Sequence, residues 1–353
     1  MKGKPVIYQL FVRLFGNIQV PVVQNGTIEE NGCGKFLDIN DAALSSLKAM
    51  GITHIWLTGV LEHATMSDFT SFGIQPDDWR LVKGRAGSPY AIKDYFDVSP
   101  ELAVNVSNRM NEFGELIKRI HNHQMKVLID FIPNHVARSY HSDNEEGKRN
   151  FFGAYDDTSK TFDPQNNFYY LPEEKFIPPQ DYQPLGIPYP SDDKSYVEIP
   201  ARVTGNNVLS ATPSLNDWFE TVKLNFGIDI FNNHQQHFHP VPRTWLFLKE
   251  VILFWSAKGV DGFRCDMAEM VPVEFWQWLI PQAQEAKSIL FIAEIYERHL
   301  YDKYIYDAGF DYIYDKAVLY DQLVNVIKKE TPAYSIGDDM NFDMTERLLN
   351  FME

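Results

Sequence analysis

The chain has 353 residues, 44% of them hydrophobic, and a net charge of −16 at pH 7. That balance argues against nucleic acid or an anionic membrane surface as partner, and the two cysteines, Cys33 and Cys265, exclude a disulfide framework. No apolar run is long enough to span a bilayer, and Met1-Lys2-Gly3-Lys4 enters an apolar run without a secretion signal, which reads as cytoplasmic.

In chain order, the apolar run 6–12 reads as a strand. A Gly/Asn-rich loop follows, then a helix carrying Leu44, Leu47 and Met50, with Asp38 as its expected cap and Gly51 as its stop. Residues 52–57 form a second buried strand, and 58–110 read as a long loop region. Phe113, Leu116, Ile117 and Ile120 have helical spacing, and 126–130 is a third strand. Residues 136–215 are polar, rich in Pro, Asn, Asp and Tyr, and too long for an ordinary loop. They are expected to form an inserted domain between 1–135 and 216–353. A helix over 243–258, a strand ending at Asp266, a helix after Pro272, a strand ending at Glu294, a strand over 309–314, a helix near 316–329 and a strand beginning at 348 complete the pattern.

Seven strands alternating with helices imply parallel βαβ units, in a (β/α)8 barrel or a doubly wound sheet. Asp130, Asp266 and Glu294 each stand at the C-terminal end of a strand, and in a barrel those ends converge on one mouth. A doubly wound sheet would favour a glycine-rich phosphate turn, and no G-x-G-x-x-G follows a strand. The fold class is therefore an α/β barrel with an insertion after its third strand.

Arg264 and Asp266 are two apart on a strand and share a face, so a cation sits beside a carboxylate and favours its ionised form. Glu294 follows a wholly apolar strand, where desolvation raises a carboxyl pKa. One ionised and one protonated carboxyl make the nucleophile and acid of a retaining glycosidase, which requires the two about 5–5.5 Å apart. The plainer readings are a buried structural ion pair for Arg264–Asp266 and a helix-capping acid for Glu294.

Four segments in order resemble the α-amylase family, glycoside hydrolase family 13: Asp130-Phe131-Ile132-Pro133-Asn134-His135, Pro213-Ser214-Leu215-Asn216, Gly262-Phe263-Arg264-Cys265-Asp266 and Phe291-Ile292-Ala293-Glu294. The resemblance implies Asp266 as nucleophile, Glu294 as general acid/base and Arg264 as the residue that orients Asp266. It implies His135, Tyr90 and Asp130 in substrate binding, an α-glucan or malto-oligosaccharide as substrate, and no organic cofactor. Asn134 matches a position that often binds a structural calcium, for which Asp143, Asp156, Asp157 and Asp163 of the insertion are candidate partners. His234, His237 and His239 lack a completing carboxylate or Cys and read as a polar loop cluster.

Two departures are visible. Glu269 and Met270 stand where starch-cleaving relatives carry Lys-His, which puts acceptor preference in doubt. The fourth motif of the family, with its third acid, would follow Asn350-Phe351-Met352-Glu353. The expectation is a fragment lacking its last strand, with little activity as it stands. The alternatives are a glycosyl-transferring relative and a non-catalytic glycan-binding homologue.

Overall fold

The computed structural model describes residues 4–142, 152–184, 196–315, 319–336 and 345–349. Seven strands form one parallel sheet, in the order β1 (Ile7–Phe11), β2 (His54–Thr58), β5 (Lys126–Phe131), β12 (Gly262–Cys265), β13 (Leu290–Ala293), β14 (Tyr312–Tyr314) and β15 (Leu348–Leu349). The seventh strand is seen at Leu348–Leu349, and the rest of its expected run lies outside the described residues.

The sheet is curled. Trp56 on β2 and Tyr314 on β14 are four strand steps apart, roughly 19 Å in a flat sheet. Their ring centroids lie 6.5 Å apart. With Leu128 and Ile292 they form an apolar cluster on the concave face. This is a parallel sheet curled into a half-barrel, with the architecture of a (β/α)8 barrel.

A short helix, α1 (Ile28–Asn31), lies in the loop after β1, and helices between the strands cover the convex face. Helix α2 (Asp41–Ala49) buries Leu44 and Leu47, and α3 (Arg109–Asn122) buries Phe113, Leu116, Ile117 and Ile120, as their spacing requires. Helices α4 (Arg243–Ala257) and α5 (Val273–Ala286) follow, and α6 (Asp321–Ile327) packs late in the chain. The cap of α2 is Asn40, whose side chain accepts from the Ala43 N–H at 3.0 Å. Asp38, expected in that role, instead accepts from the Lys35 N–H.

The region 58–110 is not simply a loop. It contains an antiparallel pair, β3 (Leu61–His63) and β4 (Ile92–Val98). All seven residues of β4 are buried, including Lys93, Asp94 and Asp97. Charged residues on both faces erase the alternation by which a strand is normally recognised.

At the base of the insertion, β6 (His135–Ala137) pairs antiparallel with β9 (Thr221–Lys223). Farther out, β7 (Tyr170–Leu171) pairs with β8 (Ala201–Arg202), over a small core of Leu81, Tyr169, Leu171, Phe176, Ala201, Val203 and Ala211. A last pair, β10 (Ile228–Asp229) with β11 (Gln235–Gln236), precedes α4. No helix among the described residues is long and apolar enough to cross a membrane.

Candidate active site

The sheet register brings the acids together. Arg264 on β12 lies opposite Asp130 on β5 and Ile292 on β13. The ladder continues one step past β12 and β13: the Asp266 N–H donates to the Phe131 carbonyl at 2.8 Å and the Glu294 N–H to that of Cys265 at 3.1 Å. Asp266 and Glu294 therefore follow neighbouring strands at one level, and Asp130 lies two residues lower, level with Arg264, so that all three acids surround the Arg264 guanidinium.

That guanidinium is the hub. Nη1 donates to Asp266 Oδ1 at 2.6 Å and lies 3.5 Å from Asp130 Oδ1. Nη2 is 2.5 Å from Glu294 Oε1, and Nε donates to the Tyr314 hydroxyl at 2.7 Å. The rings of Trp56, Tyr90 and Tyr314 surround it at 5.3, 5.5 and 5.5 Å, within cation–π range. All four charged residues are at most 6% exposed.

One cation does not balance three buried carboxylates. Burial drives Asp130 up to about 7, with Arg264 opposing and the Asp266 charge adding to the rise. Burial likewise raises Glu294, again against Arg264 and with Asp266 reinforcing. Glu294 is further held by the Tyr296 hydroxyl, which donates to Oε1 at 2.6 Å, and by the Met267 N–H, which donates to Oε2 at 2.8 Å. Asp266 Oδ2 accepts no hydrogen bond from the described residues.

His135 and Tyr90 stand at the same mouth. Tyr90 places its ring against Arg264, and the charges of Asp130, Asp266 and Glu294 all reach its hydroxyl. His135 packs against Trp218, with centroids 5.1 Å apart. Burial pushes its pKa down to about 3, so it is neutral. Asn134 Nδ2 lies 3.1 Å from His135 Nδ1 and donates to the Gly205 carbonyl at 2.9 Å.

Asn134 does not face a ring of acids. Its Oδ1 accepts from Lys223 Nζ, which also donates to the Met270 carbonyl at 3.1 Å. Of the insertion's candidate acids, Asp156 accepts from the Asn167 and Phe168 N–H groups and the Tyr170 hydroxyl. Asp157 and Asp163 pair with Lys160, and Asp143 lies outside the described residues. Two neutral oxygens already bound to a lysine do not fit calcium, which takes six to eight oxygen ligands. Among the described residues one group of three acids or imidazoles has its ligand atoms within 4.8 Å: Glu62, Asp94 and Asp97. It is engaged by Ser142 on Asp94 and Arg109 on Asp97, both at 2.6 Å, so it reads as a buried ion-pair network. His234, His237 and His239 form no such group.

Four residues of this centre escape motif reading, and a fifth, Glu269, enters it only as a departure from the family pattern. Trp56 and Tyr314 sit on barrel strands facing inward, and Tyr296 lies two residues after Glu294. Glu269 accepts from the Tyr296 and Glu297 N–H groups at 3.1 and 3.2 Å, fixing the loop after Glu294. Lys223 lies opposite His135 in the β6–β9 ladder. The strand-end rule that selected the acids also finds Tyr314, and Tyr296 lies beside a selected acid; Trp56, Glu269 and Lys223 depend on partners distant in sequence.

The family model for the alpha amylase catalytic domain matches residues 29–348. An alpha-1,4-glucan:maltose-1-phosphate maltosyltransferase from Cereibacter sphaeroides is 32% identical over 108 residues, covering 28% of this chain and 18% of that protein. A cyclomaltodextrin glucanotransferase from Bacillus sp. (strain 1011) is 25% identical over 291 residues, 77% of this chain and 31% of that one. The solved noncanonic maltogenic alpha-amylase AmyB from Thermotoga neapolitana superposes with a TM-score of 0.54 at 21% identity, over 98% of this chain and 58% of its own. The chain thus spans under a third of these curated relatives and 58% of that solved one. The structural likeness shows a shared fold, and the family match across most of the chain shows its kinship: this chain belongs to the alpha-amylase family, through its catalytic domain.

Proposed function

We propose that this centre cleaves α-glucosidic bonds in malto-oligosaccharides or α-glucans with retention at the anomeric carbon. The observation that carries the reading is the single guanidinium holding one oxygen of Asp266 and one of Glu294. It makes the two carboxyls neighbours and leaves Asp266 Oδ2 to attack. In the first step Oδ2 forms a bond to the anomeric carbon as the glycosidic bond breaks. Glu294, its proton held by the rise in pKa, donates that proton to the leaving oxygen. In the second step the Glu294 carboxylate takes a proton from water, the water oxygen attacks the same carbon, and the bond to Asp266 breaks. Arg264 holds the nucleophile, and Tyr90 and His135 line the sugar's place. No step runs through a metal.

Incubation with maltoheptaose, following new reducing ends, tests this. Glu294→Gln is expected to lower turnover by about 10²–10⁴, the range for general acid–base groups; turnover unchanged in that variant sinks the reading.

Tyr296 favours a second reading, transfer of the glycosyl group to a sugar. Its ring is 41% exposed beside Glu294, on the side the leaving group departs and an acceptor arrives. Aromatic faces there compete with water for the intermediate by binding sugar. Products longer than seven glucose units would establish transfer; glucose and short products alone would establish hydrolysis.

A further inference from the structure

The Lys223 side chain is buried at the junction of three segments: the turn carrying Asn134 and His135, the β9 strand closing the insertion, and the loop that follows Asp266. Its nitrogen binds an amide oxygen on one segment and a backbone carbonyl, that of Met270, on another. These are hard, neutral oxygens of the kind a calcium ion collects. No carboxylate of the described residues forms an ion pair with Lys223, so nothing nearby would draw in a divalent cation past the amine. A primary amine keeps two N–H donors even when neutral, enough for both oxygens.

We propose that the Lys223 nitrogen occupies the position the family resemblance assigns to calcium, as a metal-free cross-link fastening the Asp266–Met270 loop to the β5–β6 turn. The link acts across more than 130 residues of chain only because β6 and β9 pair in a register that sets Lys223 opposite His135. Asn134 Nδ2 then extends it to Gly205 in the insertion and to the His135 ring. This stands apart from the hydrolysis reading, since it concerns how the loops are held whatever reaction they serve.

The test is thermal melting of the full chain, dialysed against EDTA, with and without millimolar CaCl2. We expect the wild type to melt within about 1 °C in both, with less than a tenth of an equivalent of calcium by elemental analysis. Lys223→Met is expected to melt several degrees lower, with no rescue by CaCl2. Lys223→Asp places a carboxylate beside the two vacated oxygens, and its melting temperature should rise saturably with CaCl2. A wild type that loses melting temperature in EDTA and regains it with CaCl2 overturns the proposal. So does a Lys223→Met variant as stable as wild type, or a folded Lys223→Asp variant indifferent to calcium. If the aspartate variant does not fold, the wild-type and methionine measurements still decide.

Discussion

Two buried charge clusters in this molecule are near mirror images. At the barrel mouth one arginine, Arg264, faces three acids, Asp130, Asp266 and Glu294. In the insertion one acid, Glu198, faces two arginines: Arg138 Nη1 and Arg202 Nη2 each lie 2.6 Å from one of its oxygens. Burial alone would raise the Glu198 carboxyl, but Arg202 and Arg138 outweigh it and hold the pKa at about 2. Burial at the mouth has only one cation against it, and Asp130 and Glu294 both rise. The same ingredients in opposite ratio give a permanently ionised strut in one place and exchangeable protons in the other. Excess acid around one cation, rather than burial or ion pairing as such, marks the functional cluster.

The largest effect should follow from removing the hub of the first cluster. Arg264→Met leaves three buried carboxyls with no counter-charge, and a broken buried pair costs about 3–5 kcal/mol. Urea denaturation should show that loss, and turnover should vanish in whatever fraction remains folded. A variant of unchanged stability would mean the acids are solvated well enough to need no arginine.

Glu198→Gln should cost somewhat less, about 2–4 kcal/mol at neutral pH, because Arg202 reaches solvent more readily than Arg264 does. Its pH dependence separates the clusters. A carboxyl with a depressed folded pKa contributes stability above its unfolded value, and this is lost as pH falls from about 4.5 towards 2. The gap between wild type and Glu198→Gln should therefore close as the solution is acidified through that range. A gap that stays constant would assign the loss to packing.

Asp130 should behave in the opposite sense. Its folded pKa lies above its unfolded one, so between about pH 4 and 7 the folded state holds a proton the unfolded chain has released. Stability from this group accordingly falls as pH rises across that window. Asp130→Asn removes the penalty, so the variant should gain on wild type between pH 4.5 and pH 8, by about 1–3 kcal/mol given the desolvation of a buried acid that shares its one cation with two others. The Glu198 contribution is common to both proteins and cancels. A difference independent of pH would place Asp130 among fully ionised groups.

The barrel is legible in the sequence because parallel strands buried on both faces read as continuous apolar runs, and 127–129 and 290–293 do. The acids were legible because strand ends punctuate those runs. What stayed hidden depends on pairing between distant segments. β4 was hidden because Lys93, Asp94 and Asp97 are buried, so its polarity imitates a loop. Lys223 carries no local signal at all: only its register against His135 aims it at Asn134. The expected calcium partner at Asn134 was inferred from one residue's identity, and the occupant of that oxygen comes from a strand 89 residues further along.

The smallest effect, and the one that most sharpens the contrast between proton-carrying and structural acids, concerns Tyr296. Its hydroxyl donates to the Glu294 oxygen that Arg264 also binds, and a hydrogen bond to the ionised form lowers the carboxyl pKa. Tyr296→Phe deletes that bond and keeps the ring. The Glu294 pKa should then rise, so the alkaline limb of kcat/KM, where the acid loses its proton, should move to higher pH by about 0.5–1 unit. A shift of that size corresponds to roughly 1 kcal/mol, within the range for a hydrogen bond to a charged group. Stability should change little, because the hydroxyl is partly solvated and water replaces its partner. A limb that moves to lower pH would mean the hydroxyl serves the protonated acid, and Glu294 would then be poised as a donor by its surroundings rather than held back by them.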